Sequence, residues 1–264
     1  MRRGLRETES AGRPDGLAIT WLGRATVLIE LDGARVLTDP VLRSHVGPLV
    51  RVAPTSAVRD PVDCALLSDL HRDHADLPTL RGLARRGPLI VPPHARDWLV
   101  GKGIPDVQEL APSRAVTVGG LAVTATRGRH APRRGPFGPI AQPLGYVLST
   151  SLSIYFSADT AALPEMADLR GQVDVALLPI AEGRPRMGHR RMGHRHLDPE
   201  GAAAAVALIN PSVVIPIQWG TFSLGGVAGR RGGHLAVQEF AAHARRYAPR
   251  AQICILDPTE RIVL

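Results

Sequence analysis

The stretch LSDLHRDHADL, residues 67–77, decides how the rest of the chain is read. It sets Asp69, His71, Asp73 and His74 close together, directly after the apolar run CALLS (64–68). A short buried strand that ends in such a loop delivers nitrogen and oxygen donors to a sheet edge, where sites are commonly built. Imidazole with carboxylate suits zinc, manganese or iron. Asp69 and His71, two apart in extended chain, can point to one side. A turn at Asp73 and His74 then aims the next pair elsewhere.

Working outward, three more polar residues follow apolar strands. Asp39 ends ARVLTD, His130 follows LAVTATRGR, and Asp159 follows LSIYFSA. Singly, each has a plainer reading. An aspartate after a strand is usually a turn or cap residue, and a loop histidine is usually solvated. Only their convergence argues for a metal centre.

The surrounding pattern explains why they would converge. LAITWL (17–22), TVLIEL (26–31) and ARVLTD (34–39) read as strands, with Asp32-Gly33 as a hairpin turn. LIV (89–91), VQEL (107–110), LAVTAT (121–126), GYVLST (145–150), LSIYFS (152–157), DVALLPI (174–180), SVVIPI (212–217), ICIL and RIVL continue the series. Helices are expected over 76–86, 198–209 and 234–248, the second with an Asp start and a proline at its first position. Mostly strands with a few helices, arranged twice, suit two sheets packed face to face with helices outside. Residues 1–15 read as a loose arm, and 16–264 as one domain with no dividing linker.

Bulk properties narrow the function. The 264 residues are 44% apolar, enough for a substantial core. Cys64 and Cys254 sit in apolar runs and read as reduced core residues, which fits a cytoplasmic protein. Neither a secretory signal nor a membrane-spanning run is visible. The net charge of +8 invites a nucleic-acid partner. Against that, the basic residues are scattered arginines (Lys102 is the sole lysine), and aromatics for base stacking are few.

The chain resembles the metallo-β-lactamase superfamily. Within it, the likeness is to the branch of N-acyl-phosphatidylethanolamine-hydrolysing phospholipase D and ascorbate-6-phosphate lactonase. TWLGRATVLIELDGARVLTDPVL, LLSDLHRDHADLPTL, RGRHAPRRGPF, IYFSADTA, DVALLPI, HLDPEGAAAAV and IPIQWGTFSL carry it, from about residue 17 to the end. The resemblance implies an α/β fold, a four-layer αββα sandwich, and a hydrolase with one or two ions of Zn²⁺, or of Mn²⁺ or Fe²⁺. A metal-bound hydroxide would attack a phosphodiester or a lactone-type ester in a small anionic metabolite or lipid head group.

Carried over position by position, the resemblance implies Asp69, His71 and His130 on metal one. Asp73, His74 and Gln218 fall on metal two, and Asp159 bridges. Asp73 and His196 take catalytic places, His196 near the substrate. Asp39 is an outer carboxylate that orients the loop. Arg133 and Arg134 lie beside His130, where they could meet a substrate anion. Arg24, Asp69 and Gln218 depart from the family, which has histidine at all three. With Asp69 as a third carboxylate, two divalent ions and a hydroxide come to about zero charge instead of about +1. Arg24 could restore a positive charge by pairing with Asp69. Two alternatives stay open: a catalytically impaired relative that binds a ligand or partner, and, ranked last, an RNA-processing nuclease. The basic stretch 183–196, with its RMGHR duplication, is either a solvated loop or an anion attractor near the pocket mouth.

Overall fold

Side-chain alternation along the short strand before the histidine loop sets the layering. Cys64 and Leu66 join the main core, whereas Ala65 and Leu67 join a separate cluster with Leu80, Leu99 and Ile104. The computed structural model describes residues 16–180, 196–223 and 228–264. The arm 1–15 and most of the basic stretch 183–196 lie outside the described residues.

The first sheet holds β1 (Leu17–Gly23), β2 (Thr26–Leu31), β3 (Ala34–Thr38), β6 (Cys64–Leu66), β7 (Leu89–Val91), β8 (Val107–Glu109) and β17 (Arg261–Val263), in the order β17-β1-β2-β3-β6-β7-β8. The second holds β9 (Ala115–Val118), β10 (Leu121–Arg127), β11 (Leu144–Ser149), β12 (Ser153–Phe156), β13 (Val175–Pro179), β14 (Val213–Ile217) and β16 (Gln252–Ile253), in the order β16-β14-β13-β12-β11-β10-β9. A small sheet of β4 (His45–Val46), β5 (Leu49–Arg51) and β15 (Phe222–Ser223) sits beside them. Helices α1 (Leu77–Gly82) and α2 (Arg96–Gly101) contribute Leu80 and Leu99 to the cluster on one side of the first sheet. Helices α3 (Pro199–Ile209) and α4 (Ala228–Tyr247) pack on each other and place Val206, Ile209, Phe240 and Ala244 in the core with Leu177 of β13. The four-layer αββα sandwich is the result.

Local chemistry matches these elements. Asp32 and Gly33 both take positive φ (46° and 81°), as a tight hairpin between β2 and β3 requires. Asp198 caps α3 by accepting from Gly201 N at 2.7 Å, and Asn210 ends the helix at φ 54°. Helix α1 is shorter than the expected 76–86. Beyond it, Ala84 and Arg86 exchange hydrogen bonds with Val62, which pulls the chain into extended form. Tertiary pairing overrides helical spacing there.

Strand direction gathers the polar ends. β3 and β6 are parallel and β1 runs with them, so Arg24, Asp39 and Asp69 all leave the first sheet at one edge. β10, β12 and β14 share a direction in the second sheet, so His130, Asp159 and Gln218 leave it likewise. No helix among the described residues is long and apolar enough to cross a membrane.

Candidate metal centre

Asp39 anchors the histidine loop. It is fully buried just past β3, at φ 36°. Its Oδ1 accepts from Ser68 N at 2.7 Å, and its Oδ2 accepts from Ser68 Oγ at 2.6 Å. The same Oδ2 is 2.6 Å from His74 Nδ1. This fixes the His74 ring with Nε2 facing Asp159 Oδ2 at 3.2 Å. Desolvation works against a charged His74, yet Asp69, Asp159 and Asp39 hold its pKa well above the ordinary value.

Asp159 Oδ2 is the focus of the site. His74 Nε2 lies 3.2 Å away, Arg24 Nη2 3.5 Å, His196 Nδ1 3.7 Å and His130 Nε2 3.9 Å. The His130 ring meets those of His71 and His196 edge-on, with centroids 4.8 and 4.4 Å apart. Burial pushes the Asp159 carboxyl up, but His74 and Arg24 hold it well below the usual carboxylate range. Its other oxygen, Oδ1, is buried without a hydrogen-bond partner.

Arg24 pairs with Asp73, not with Asp69 as the sequence suggested. Nη2 and Nε lie 2.8 and 3.1 Å from Asp73 Oδ2. The reason is local. Asp69 is taken by its own loop, accepting from His71 N at 2.7 Å and lying 3.0 Å from His71 Nδ1. Arg24 sits at φ 49° in the turn between β1 and β2. Its N donates to Thr221 Oγ1 at 2.7 Å, and its carbonyl accepts from Trp21 Nε1 at 2.9 Å and Gln218 N at 3.1 Å. Gly23 must precede it, because a Cβ there would lie 2.7 Å from the Thr221 methyl.

The remaining expected residues divide. Gln218 is buried at the end of β14, at φ 67°, and its Nε2 has no hydrogen-bond partner. Ala158, at φ 53°, joins Arg24, Asp39 and Gln218 in the left-handed region around this one site. Such backbone strain persists where surrounding structure imposes it, often at functional sites. Arg134 departs from a substrate-facing role. Its guanidinium binds the Leu70 and Ala75 carbonyls and lies over the Trp98 ring at 5.0 Å. It braces the histidine loop because that loop offers unpaired carbonyls beside an aromatic face. Arg133 is exposed, and its carbonyl lies 3.1 Å from His71 Nε2. Ser68, Thr221 and Trp21 were missed as supports. Ser68 ends CALLS beside the loop, which was the one available signal. The histidines at 189 and 194 fall outside the described residues.

The donor set fits a metal ion. Among the described residues, three groups bring ligand atoms within 4.8 Å of one another: Asp69, His71 and His130; His130, Asp159 and His196; Asp69, His74 and Asp159. Tetrahedral ligands at the usual bond lengths lie roughly 3.3–3.6 Å apart. The 3.2–3.9 Å spacings about Asp159 Oδ2 bracket that value. A cation would also satisfy the orphaned Asp159 Oδ1, whose burial unpaired is otherwise costly.

Comparison with known proteins bears on the family and the fold. The profile of the Beta-lactamase superfamily domain matches residues 34–219. A protein of Methanopyrus kandleri named as a UPF0173 metal-dependent hydrolase is 34% identical over 214 residues, covering 78% of this chain and 85% of that one. N-acyl-phosphatidylethanolamine-hydrolyzing phospholipase D 1 of Caenorhabditis elegans is 28% identical over 236 residues, covering 80% and 65%. The chain spans 61% of the length of a matched uncharacterised protein of Mycobacterium tuberculosis. Among solved structures, Igni18, a metallo hydrolase from Ignicoccus hospitalis, superposes with TM-score 0.68 at 21% identity, covering 94% of this chain and 98% of that one. With the αββα sandwich and the strand-end cluster in place, the chain belongs to the Beta-lactamase superfamily domain family.

Proposed function

We propose that this chain is a metal-dependent hydrolase of a phosphodiester or lactone-type ester in a small anionic metabolite or lipid head group. One observation carries the reading: His74, His130 and His196 converge on Asp159 Oδ2 while Asp159 Oδ1 stays buried and unpartnered. His130 would hold the ion, either with Asp69 and His71 or with Asp159 and His196, and His74 stands beside them. Nitrogen and carboxylate donors suit zinc, and the added carboxylate of Asp69 also admits Mn²⁺ or Fe²⁺. When bound, such an ion lowers the pKa of a water molecule and polarises the bond to be broken.

The chain's own residues supply position and charge. Asp39 and Ser68 lock the His74 ring, and Arg134 holds the loop backbone. The imidazole of His196, about a quarter exposed, stands beside His130 and can orient a substrate oxygen. Arg133, exposed next to His71, offers its guanidinium to an anionic group. A cytoplasmic location is part of the reading, supported by two buried free cysteines, with burial pushing the Cys64 thiol up to about 12.

A second reading, a relative that binds a ligand without turning it over, draws support from the Arg24–Asp73 pair and from the neutral Gln218. Tag-free protein assayed on bis(p-nitrophenyl) phosphate and on a simple lactone separates the two. Hydrolysis abolished by a chelator and restored by Zn²⁺ or Mn²⁺ is the expected result. Absence of turnover on both substrates at saturating metal favours the second reading.

A further inference from the structure

We propose that the Arg24 guanidinium stands in for a second metal ion, so that the centre holds a single ion on the His130 side, away from Asp73. The inference rests on the hydrolase reading above and specifies its stoichiometry.

Three observations carry it. First, the carboxylates that a second ion would need are already engaged. Arg24 Nη2 is 2.8 Å from Asp73 Oδ2 and 3.5 Å from Asp159 Oδ2. Asp73 belongs to none of the three groups able to hold an ion, whereas His130 and Asp159 each belong to two. Second, the arginine is built in. Both its backbone polar groups are bound, to Thr221 on one side and to Trp21 and Gln218 on the other. An arginine guanidinium stays charged across the ordinary pH range. Third, the remaining donor is weak. Gln218 offers a neutral amide, a poor ligand for zinc beside imidazole or thiolate. Its backbone N is fixed on the Arg24 carbonyl, so the same turn positions both residues.

Cation spacing agrees. A second divalent ion on Asp73 would have the Arg24 guanidinium about 3 Å from one of its own ligand atoms. Electrostatic arguments at metal sites must include the ion's charge, and two cations competing for one carboxylate oxygen favour one ion over two.

The test is metal content without any activity readout. Tag-free natural protein loaded with excess Zn²⁺ and desalted should retain about one equivalent per chain. Titration with Co²⁺, followed by its visible absorption, should reach a plateau at about the same ratio. The double variant Arg24→His, Gln218→His, checked for folding by circular dichroism, should rise to about two equivalents, while Arg24→Lys stays at about one. A natural protein that holds two equivalents overturns the inference and leaves the hydrolase reading standing. One that holds none overturns that reading and the inference with it. A folded double variant that remains at one shows that Arg24 is not what excludes the second ion, and rejects the proposal. If the double variant does not fold, the Co²⁺ titration of natural protein decides alone.

Discussion

The two sides of the site are built from the same kind of strand end and finished differently. On one side, His130 meets His71 and His196 edge-on, and His130 and His196 face Asp159. On the other, Arg24 lies on Asp73, and Gln218 leaves an amide nitrogen unpartnered. His74 stands at the boundary, bridging Asp39 and Asp159. The contrast teaches that a scaffold can keep its loop geometry while one cation place passes to a side chain. A guanidinium can neutralise a carboxylate as an ion does, but it cannot act as a Lewis acid.

The largest effect should come from the ring side. His130→Ala removes the ring shared by two of the ligand groups. Loss of an outer partner of a metal ligand costs about 10–100-fold in affinity, and loss of a ligand should exceed that. Metal analysis should show most of the ion gone from this variant. Unchanged content would break the assignment.

At the boundary, Asp39→Ala should destabilise the fold by about 3–5 kcal/mol, because it strands the fully buried His74 and the Ser68 donors. Asp39→Asn should cost less, since it keeps an acceptor. Urea unfolding measures both. A loss below about 1 kcal/mol for the alanine variant would show that His74 is held by something else.

Smaller still is the difference between the two neighbouring arginines. Arg134→Ala should cost about 1–3 kcal/mol, from two loop carbonyls left without their donor. Arg133→Ala, exposed and with its guanidinium on the Gly138 carbonyl, should stay within about 0.5 kcal/mol. It should instead raise KM for an anionic substrate. Equal stability losses would mean that Arg134 does not brace the histidine loop.

Much of this architecture was legible beforehand. Alternating apolar runs placed most strands within a residue or two, and Asp32-Gly33 and Asp198-Pro199 marked their turn and cap. The polar residues at strand ends come together in the structure, because parallel strands deliver their ends to one edge. Partner choice was not legible. Arg24 and Asp73 are 49 positions apart, and the turn that aims Arg24, with Asp69 held by its own loop, selects Asp73. Arg134 looked like a substrate contact because sequence does not tell that it turns back onto the loop. Helix α2 and the strands β4, β5, β9 and β15 were missed, being too brief to show a clear period.

The most direct measurement is anomalous diffraction from crystals of the natural protein grown with Zn²⁺ or Mn²⁺. The expected result is a single strong peak per chain beside His130, on the side away from Asp73, with Arg24 still on Asp73. A peak between Asp73, His74 and Gln218, or no peak beside His130 at saturating metal, would contradict the account.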